Sequence, residues 1–254
     1  MVTRTKKMRR RAFTLVELLV VIGIIALLLG ILMPSLASTR RQAQAVVCLS
    51  NLRQVGVGLL LYAQDNKGYF PRSSMTANWP PPQEPFLVRP WPEALFSYLT
   101  TGTFESSHPT ADASDRWQKL FWGMYRCPSD LRRQDGTWKF NPATLYEDHW
   151  SYAKNVLPEY GKSYDPRYTQ CLKITQIPRS SATVLFAETK ADGMGDHFMV
   201  DDWSADGSDA TIDKTRHGSV SNYLYCDGHA AAASFADVFD PPHAVNKFDP
   251  QLAR

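Results

Sequence analysis

An uncharged apolar run from residue 18 to residue 33 limits what this chain can fold into more than any other stretch. A helix over residues 13–33 would extend roughly 30 Å, which is the hydrocarbon thickness of a bilayer. Residues 1–12 contain six basic residues and no acidic residue: Arg4, Lys6, Lys7, Arg9, Arg10 and Arg11. Because basic residues are retained on the cytoplasmic side, the sequence predicts one membrane span with a cytoplasmic N-terminus and an extracytoplasmic remainder.

Glu17 is the one charge at the start of this apolar segment. An ionised carboxylate inside a membrane helix costs about 2.5–3.5 kcal/mol on insertion scales unless it is paired. A position near the membrane interface would make the charge tolerable without a partner. Alternatively, cleavage between Ala12 and Phe13 would create an α-amino group, and the ammonium of a neighbouring subunit could neutralise Glu17.

The basic leader, a small residue and the sequence Phe-Thr-Leu-Val-Glu before an apolar run resemble the class III signal of type IV pilins and type II secretion pseudopilins. The resemblance implies that a prepilin peptidase cuts before Phe13 and methylates its amine at the inner membrane. It also implies that the subunits assemble with themselves and with other pilin-like subunits through their N-terminal helices. Ala12 departs from the glycine that is commonest in that family. The predicted division is a leader over 1–12, an assembly helix over 13–34 and an extracytoplasmic head over 35–254.

Two other fates remain open for the same segment. An ordinary secretory signal, cut after residues 35–37, would release a soluble protein that begins at Ser38. Without any cleavage, the segment would be a simple anchor. The head would then be a membrane-anchored or secreted binding protein or adhesin that uses the aromatic and proline-rich stretch 79–91, or, less favoured, a membrane-anchored hydrolase that uses His217 and Asp227.

The rest of the chain predicts an α+β, pilin-like fold in which a long N-terminal helix packs on a small antiparallel sheet with irregular insertions. Apolar residues recur at spacings of three and four, as on one face of a helix: Ala45, Cys48, Leu52, Val55, Leu59 and Tyr62. Gly68 can adopt the left-handed cap conformation that ends this helix. The mostly apolar stretch 183–189, which closes with Glu188, predicts a central strand.

Several downstream motifs resemble a pseudopilin-like family of planctomycete-type bacteria that has no assigned enzymatic activity. The motifs lie at 48–54, 62–71, 127–129 and 151–155, and the last is a histidine, nine intervening residues and Asp-Gly at 217–228. Structural roles are expected for His217, Asn222, Asp227 and Gly228, with Asp227 and Gly228 in a hairpin turn that requires positive φ at both. The aromatic stretch 121–126 predicts a strand. The sequence thus indicates a structural protein rather than an enzyme.

The four cysteines, Cys48, Cys127, Cys171 and Cys226, lack the close spacing of zinc ribbons or thioredoxin motifs. An extracytoplasmic head meets an oxidising environment, so all four are candidates for disulfides, with three pairings open if all join. Four buried thiols are the alternative.

Other partners and cofactors are weighed on charge and ligand type. Without the leader, the chain has 22 basic and 25 acidic residues. Its net charge is then slightly negative, so no nucleic-acid partner is implied. No metal is predicted from His217, Asp227 and His229, because two of them lie at a hairpin tip and no fourth ligand is evident. Calcium in the acidic loop 192–213 is a weaker expectation, because the oxygen ligands are there without an EF-hand register.

Overall fold

The computed structural model describes residues 15–73, 90–100, 116, 119–130, 150–160, 173–190, 195–200, 203–204 and 206–254. The chain divides into two compact units, Met1–Gln42 and Ala43–Arg254. The fold is α+β and pilin-like, as predicted: one long N-terminal helix and a small, mostly antiparallel sheet. The leader 1–12 lies outside the described residues, and the predicted boundary after residue 34 stays a prediction.

Helix α1 runs from Leu15 to Asp65, and Pro34 lies inside it. Its second part buries the predicted apolar stripe, since Cys48, Leu52, Val55, Leu59 and Tyr62 are at most 4% exposed, whereas Ala45 is half-buried. As expected, Gly68 follows the end of the helix in a left-handed conformation, with a φ of +88°. There the Gly68 N–H donates to the carbonyl of Ala63 at 2.7 Å, which satisfies a carbonyl of the last turn.

Short helices follow at Trp91–Ala94, Phe96–Leu99 and Leu157–Tyr160, with 3-10 turns at Ile174–Gln176 and Pro241–His243. Residues Phe121–Tyr125 form a π-helix, so the predicted strand over 121–126 is wrong. The buried residues Leu120 and Tyr125 are five apart, a spacing that one π turn brings onto one side. The Asn51 side chain of α1 donates to the carbonyl of Gly123 at 3.1 Å, which holds this turn against the helix.

The main sheet has the order β3-β1-β2-β4-β5. Its strands are β1 (Tyr152–Asn155), β2 (Val184–Glu188), β3 (His197–Phe198), β4 (Ser221–Tyr225) and β5 (Ala230–Ala233). All neighbours are antiparallel except β1 and β3. β2 is central, as predicted, and all five of its residues are buried. A second sheet pairs β6 (Phe239–Asp240) with β7 (Val245–Asn246).

The sheet is covered on both faces, which we call the helix face and the aromatic face. The helix face includes Tyr152, Phe186 and Leu224 and packs on the α1 stripe and on Trp91. The aromatic face includes Ala153, Ala187 and Tyr223 and packs on Phe198, Phe239 and Phe248. The alternation of these residues along each strand follows from the two-residue period of β structure. A register shift between Val184 and Phe186 accounts for Leu185 and Phe186 belonging to the same face.

Candidate functional site

The first part of α1 exposes apolar side chains over its whole length. The exposed large residues there run from Leu15 and Val16 to Met33 and Leu36, most of them more than half exposed. By length and composition α1 is apolar enough to cross a membrane. A helix that is apolar all round is stable only in lipid or among other helices, so this segment fits a single-pass anchor.

Glu17 lies in the first turn of α1. Ala12 and Phe13, the predicted processing residues, lie outside the described residues. The processing and assembly roles of these three residues therefore stay predictions.

In the head, the structure places His217 and Glu188 together. The His217 Nε2 lies 2.9 Å from Oε1 of Glu188, and the two side chains are 3% and 0% exposed. The other carboxylate oxygen accepts hydrogen bonds from the Ser221 hydroxyl and the Asn222 backbone N–H, both at 2.9 Å. Three donors around one buried carboxylate meet the rule that buried charges must be paired and hydrogen-bonded. The loop that carries His217 is thereby fastened to β2 and β4.

A disulfide between Cys48 and Cys127 lies beside this pair. Cys127 Sγ is 3.8 Å from the Nε2 of His217. The disulfide connects α1 to the segment after the π-helix, and the Tyr152 hydroxyl donates to the Cys48 carbonyl at 3.2 Å. Helix, π-helix, β1 and the His217 loop therefore meet at one buried point.

Cys226 has a different state from the two bonded cysteines. It is a buried free thiol in the structure. Cys171 lies outside the described residues, so disulfide formation by Cys171 or Cys226 stays a prediction. Burial raises the pKa of the Cys226 thiol well above its ordinary value, because the apolar surroundings disfavour the thiolate.

Arg216 also holds the loop that carries His217, through contacts separate from those of Glu188. Its guanidinium donates to the backbone carbonyls of Ser151 and Thr189 and to the carboxylate of Asp213, and it lies 3.6 Å from Asp130. The Arg216 side chain is 3% exposed. These bonds secure the residue directly before His217, so the histidine is positioned by its neighbours along the chain as well as by Glu188.

The hairpin expected at Asp227 and Gly228 is present, with a different turn. Gly228 alone of the pair has positive φ, at +87°. The Gly228 N–H donates to the Tyr225 carbonyl at 2.9 Å, and the Tyr225 N–H donates to the His229 carbonyl at 2.9 Å. This is the pattern of a type I turn followed by a left-handed residue, which requires positive φ only at the glycine. The return strand β5 begins at Ala230.

The motif residues have separate partners. Asp227 Oδ1 accepts from the His229 backbone at 3.1 Å and lies 2.6 Å from the His229 ring nitrogen Nδ1. His217 bonds to Glu188 instead, and Asn222 takes part through its backbone. Glu188 is the residue whose importance the sequence understated. The available signal was the position of Glu188 at the end of a mostly apolar strand. A carboxylate that is buried there needs hydrogen-bond donors from other parts of the chain.

The acidic loop is described only in part, since Asp192, Asp201 and Asp202 lie outside the described residues. Asp206 and Asp209 both accept hydrogen bonds from Ser204. A hydrogen bond from the Ser208 backbone, followed by those from the Ser204 and Ser208 hydroxyls, lowers the pKa of Asp206 to about 2. These carboxylates organise a tight turn, and calcium binding stays an untested expectation.

The predicted binding stretch 79–91 also lies mostly outside the described residues. Trp91, at its end, is fully buried. Its ring centroid lies 5.1 Å from Tyr125 and 4.8 Å from Phe186, both in edge-on geometry. Trp91 is a core residue and cannot contact a ligand at the surface.

Comparison with known proteins bears on the N-terminal segment. Residues 7–33 match the family model of the prokaryotic N-terminal methylation motif. Comparisons with curated proteins and with solved structures gave no match. The motif supports a type IV pilin-like or pseudopilin-like protein, a class of structural proteins whose apolar helix is processed and assembled with other subunits. The resemblance of the downstream motifs to a planctomycete-type family stays a prediction.

Proposed function

We propose that this chain is a structural subunit of a pseudopilus or type IV pilus-like fibre, possessing no enzymatic activity of its own. The observation that carries the proposal is the match of residues 7–33 to the N-terminal methylation motif. The uncovered apolar surface at the start of α1 supports it, since lipid before assembly and neighbouring helices after assembly would each cover such a surface. A role in a type II secretion-like system is part of the same proposal.

Processing comes first in this mechanism. The basic leader keeps residues 1–12 in the cytoplasm, and the head lies outside the inner membrane. A prepilin peptidase cleaves between Ala12 and Phe13 and methylates the new amine of Phe13. The product is a subunit that is held in the membrane by its apolar helix and carries an N-terminal ammonium about one helical turn from Glu17.

Assembly then pairs charges between subunits. Glu17 of one subunit accepts the Phe13 ammonium of a neighbour when the helices pack side by side. The pair removes a penalty of about 2.5–3.5 kcal/mol for an ionised carboxylate within the membrane, and it sets the axial register of the fibre. Lateral packing of the apolar helices supplies the remaining stabilisation.

Mass spectrometry of the mature N-terminus tests the processing step. We expect a chain that begins with N-methylated Phe13. A chain that begins at Ser38 would establish a secreted soluble protein, and an intact leader would establish a simple anchor. Either of these two results would overturn the proposal.

Substitution of Glu17 tests the assembly step. Glu17→Ala should be processed and inserted as efficiently as wild type but should be recovered poorly in sheared fibre fractions. Glu17→Asp is the matched control, because it keeps the charge with a side chain one methylene shorter, and it should retain part of the incorporation. Equal incorporation of Glu17→Ala and wild-type subunits would refute the charge pairing.

The hydrolase alternative is tested in the head. His217 and Glu188 are almost fully buried and paired with each other, which suits a stabilising contact. His217→Ala would leave a buried carboxylate with one donor fewer and should lower the free energy of unfolding by about 3–5 kcal/mol. Hydrolase activity of the full chain that disappeared in this variant while the fold stayed intact would favour the enzyme.

A further inference from the structure

We propose that Cys48, Cys127, Glu188 and His217 form a zinc site when the disulfide between the two cysteines is reduced. One ligand atom from each residue lies within 4.8 Å of the others: two Sγ atoms, a carboxylate oxygen and an imidazole nitrogen. Two thiolates, one imidazole and one carboxylate are ligands that zinc accepts in tetrahedral sites. The cluster is therefore a covalent cross-link in its oxidised state and a metal site in its reduced state.

The ligand atoms already lie close to the spacing of a tetrahedral ion, since all are within 4.8 Å of one another. Ligand atoms at ordinary zinc distances lie roughly 3.3–3.8 Å from one another. Nε2 of His217 is already 3.8 Å from Sγ of Cys127 and 2.9 Å from Oε1 of Glu188. The two sulfurs, which are bonded to each other in the oxidised state, must separate, and Nε2 of His217 must move about 0.4 Å further from Oε1 of Glu188 to reach the distances of a tetrahedral ion. Rotations about side-chain bonds can supply both movements.

The surroundings hold the ligands in place. The Oε2 of Glu188 accepts from Ser221 and Asn222, which leaves Oε1 directed at His217. These two hydrogen bonds orient the carboxylate for metal binding, as supporting hydrogen bonds do in zinc proteins generally. The Nδ1 of His217 is buried and has no hydrogen-bond partner in the described part of the chain. It can carry the ring hydrogen when Nε2 gives up its own to bind the metal.

The change of state balances with a dithiol as reductant. The dithiol attacks the Cys48–Cys127 bond, gives up two electrons and two protons, and itself becomes a disulfide. The S–S bond breaks and two thiols remain. Zinc then displaces both thiol protons, so the ion with its two thiolates and one carboxylate has a net charge of −1. In either state the cluster connects α1 to the segment that carries Cys127.

The test uses the full chain in detergent with Cys171→Ser and Cys226→Ser, so that Cys48 and Cys127 are the sole cysteines. After reduction with a phosphine, which water converts to the phosphine oxide, the chain is titrated with Co²⁺. We expect one ion per chain, with a thiolate-to-cobalt charge-transfer band and the strong visible bands of tetrahedral cobalt. One equivalent of Zn²⁺ should displace it. The unreduced protein should show neither band.

Two histidine variants separate this site from adventitious binding. His217→Ala should weaken cobalt binding at least about tenfold, since loss of even a supporting residue around a metal ligand costs that much. His229→Ala is the control, because His229 is 46% exposed at the hairpin and contributes nothing to the cluster, and it should bind as the parent does. Equal affinity in the two variants would overturn the proposal.

Circular dichroism keeps the test decisive if the reduced chain loses its fold. In that case one equivalent of Zn²⁺ should restore the far-ultraviolet spectrum, because binding free energy adds to folding free energy. Failure of zinc to restore the spectrum, or absence of the charge-transfer band in the reduced parent, would show that no such site exists.

Discussion

The two faces of the head's sheet are both covered but are built in different ways. The helix face is covered by one regular stripe on α1, with side chains from Cys48 to Tyr62 at helical spacing. The aromatic face is covered by rings from separate segments of the chain, including Phe198, Trp203 and Phe248. Phe248 lies within 6.2 Å, centroid to centroid, of Phe198, Trp203, Tyr223 and Phe239.

The difference teaches how each face is stabilised. The helix face has a covalent link, because the disulfide between Cys48 and Cys127, which are 79 positions apart, joins α1 to the segment after the π-helix. The aromatic face relies on packing and on backbone contacts from the C-terminal segment. There the Asn155 amide donates to the carbonyls of Val184 and Phe248, at 2.9 Å and 2.7 Å, and Val184 N–H donates to Lys247 at 2.7 Å.

Loss of the disulfide should have the largest effect on the helix face. Cys48→Ser combined with Cys127→Ser should lower the free energy of unfolding by roughly 4–5 kcal/mol, the loop entropy expected for this separation. Denaturant unfolding of the full chain in detergent measures the effect. A reductant should destabilise the wild type by a similar amount and leave the double variant unchanged. Equal stability of both proteins would mean that the helix face does not depend on the cross-link.

Removal of one ring should test the aromatic face. Phe248→Ala should cost about 3–5 kcal/mol, because the ring is fully buried among four others and a cavity would remain. Phe186→Ala is the matched variant on the helix face, where Phe186 is also fully buried and packs against Trp91. Similar losses in denaturant midpoint would show that the two faces contribute equally. A loss below about 1 kcal/mol for Phe248→Ala would identify the aromatic face as loosely packed.

The contact between α1 and the hairpin should be sensitive to single methyl groups. A Cβ on Gly56 would lie 2.5 Å from the carbonyl oxygen of Gly228, and one on Gly228 would lie 2.6 Å from Leu60 while holding positive φ. Gly56→Ala and Gly228→Ala should each cost about 1–3 kcal/mol through overpacking. Because the two glycines touch, their effects should not add.

Gly123→Ala is the control for this pair, since among the described residues, leaving aside its chain neighbours and the backbone of its own helical turn, no atom lies within 4 Å of its added Cβ. It should change the free energy of unfolding by less than about 0.5 kcal/mol. If Gly56→Ala behaved as Gly123→Ala does, the helix would have to approach the hairpin less closely than the structure shows.

The helix face was largely readable from the sequence. Its stripe follows a helical period, Gly68 has the conformation that ends a helix, and the central strand over 183–189 is continuous and apolar. Each of these signals is local. The aromatic face has no such signal, because its rings are far apart in the chain and meet only after folding.

The errors have the same origin in non-local contacts. The stretch 121–126 is aromatic enough for a strand, yet it coils because Leu120 and Tyr125 must both reach the core. His217 was found by its motif, but its partner Glu188 is 29 positions away and could be assigned only from the structure.

The last expected effect is that of pH, and it arises from one buried thiol on the helix face. Burial raises the pKa of Cys226, on the helix face, above its ordinary value of 9.0, so the folded thiol stays protonated. In the unfolded chain the Cys226 thiol can ionise above about pH 9. The stability of the folded head relative to the unfolded chain is therefore unaffected by this thiol below about pH 9 and falls as the pH rises further. The loss approaches about 1.4 kcal/mol per pH unit.

The measurement compares wild type with Cys226→Ala between pH 7 and pH 10.5. Burial also raises the pKa values of Tyr223 and Tyr225 on the aromatic face, but these contributions are common to both proteins and cancel in the difference. The wild type should lose stability more steeply than the variant above pH 9, and the two slopes should coincide below pH 8. Parallel curves across the whole range would show that the thiol of Cys226 reaches water in the folded head, and the helix face would then be less tightly closed around β4 than its burial indicates.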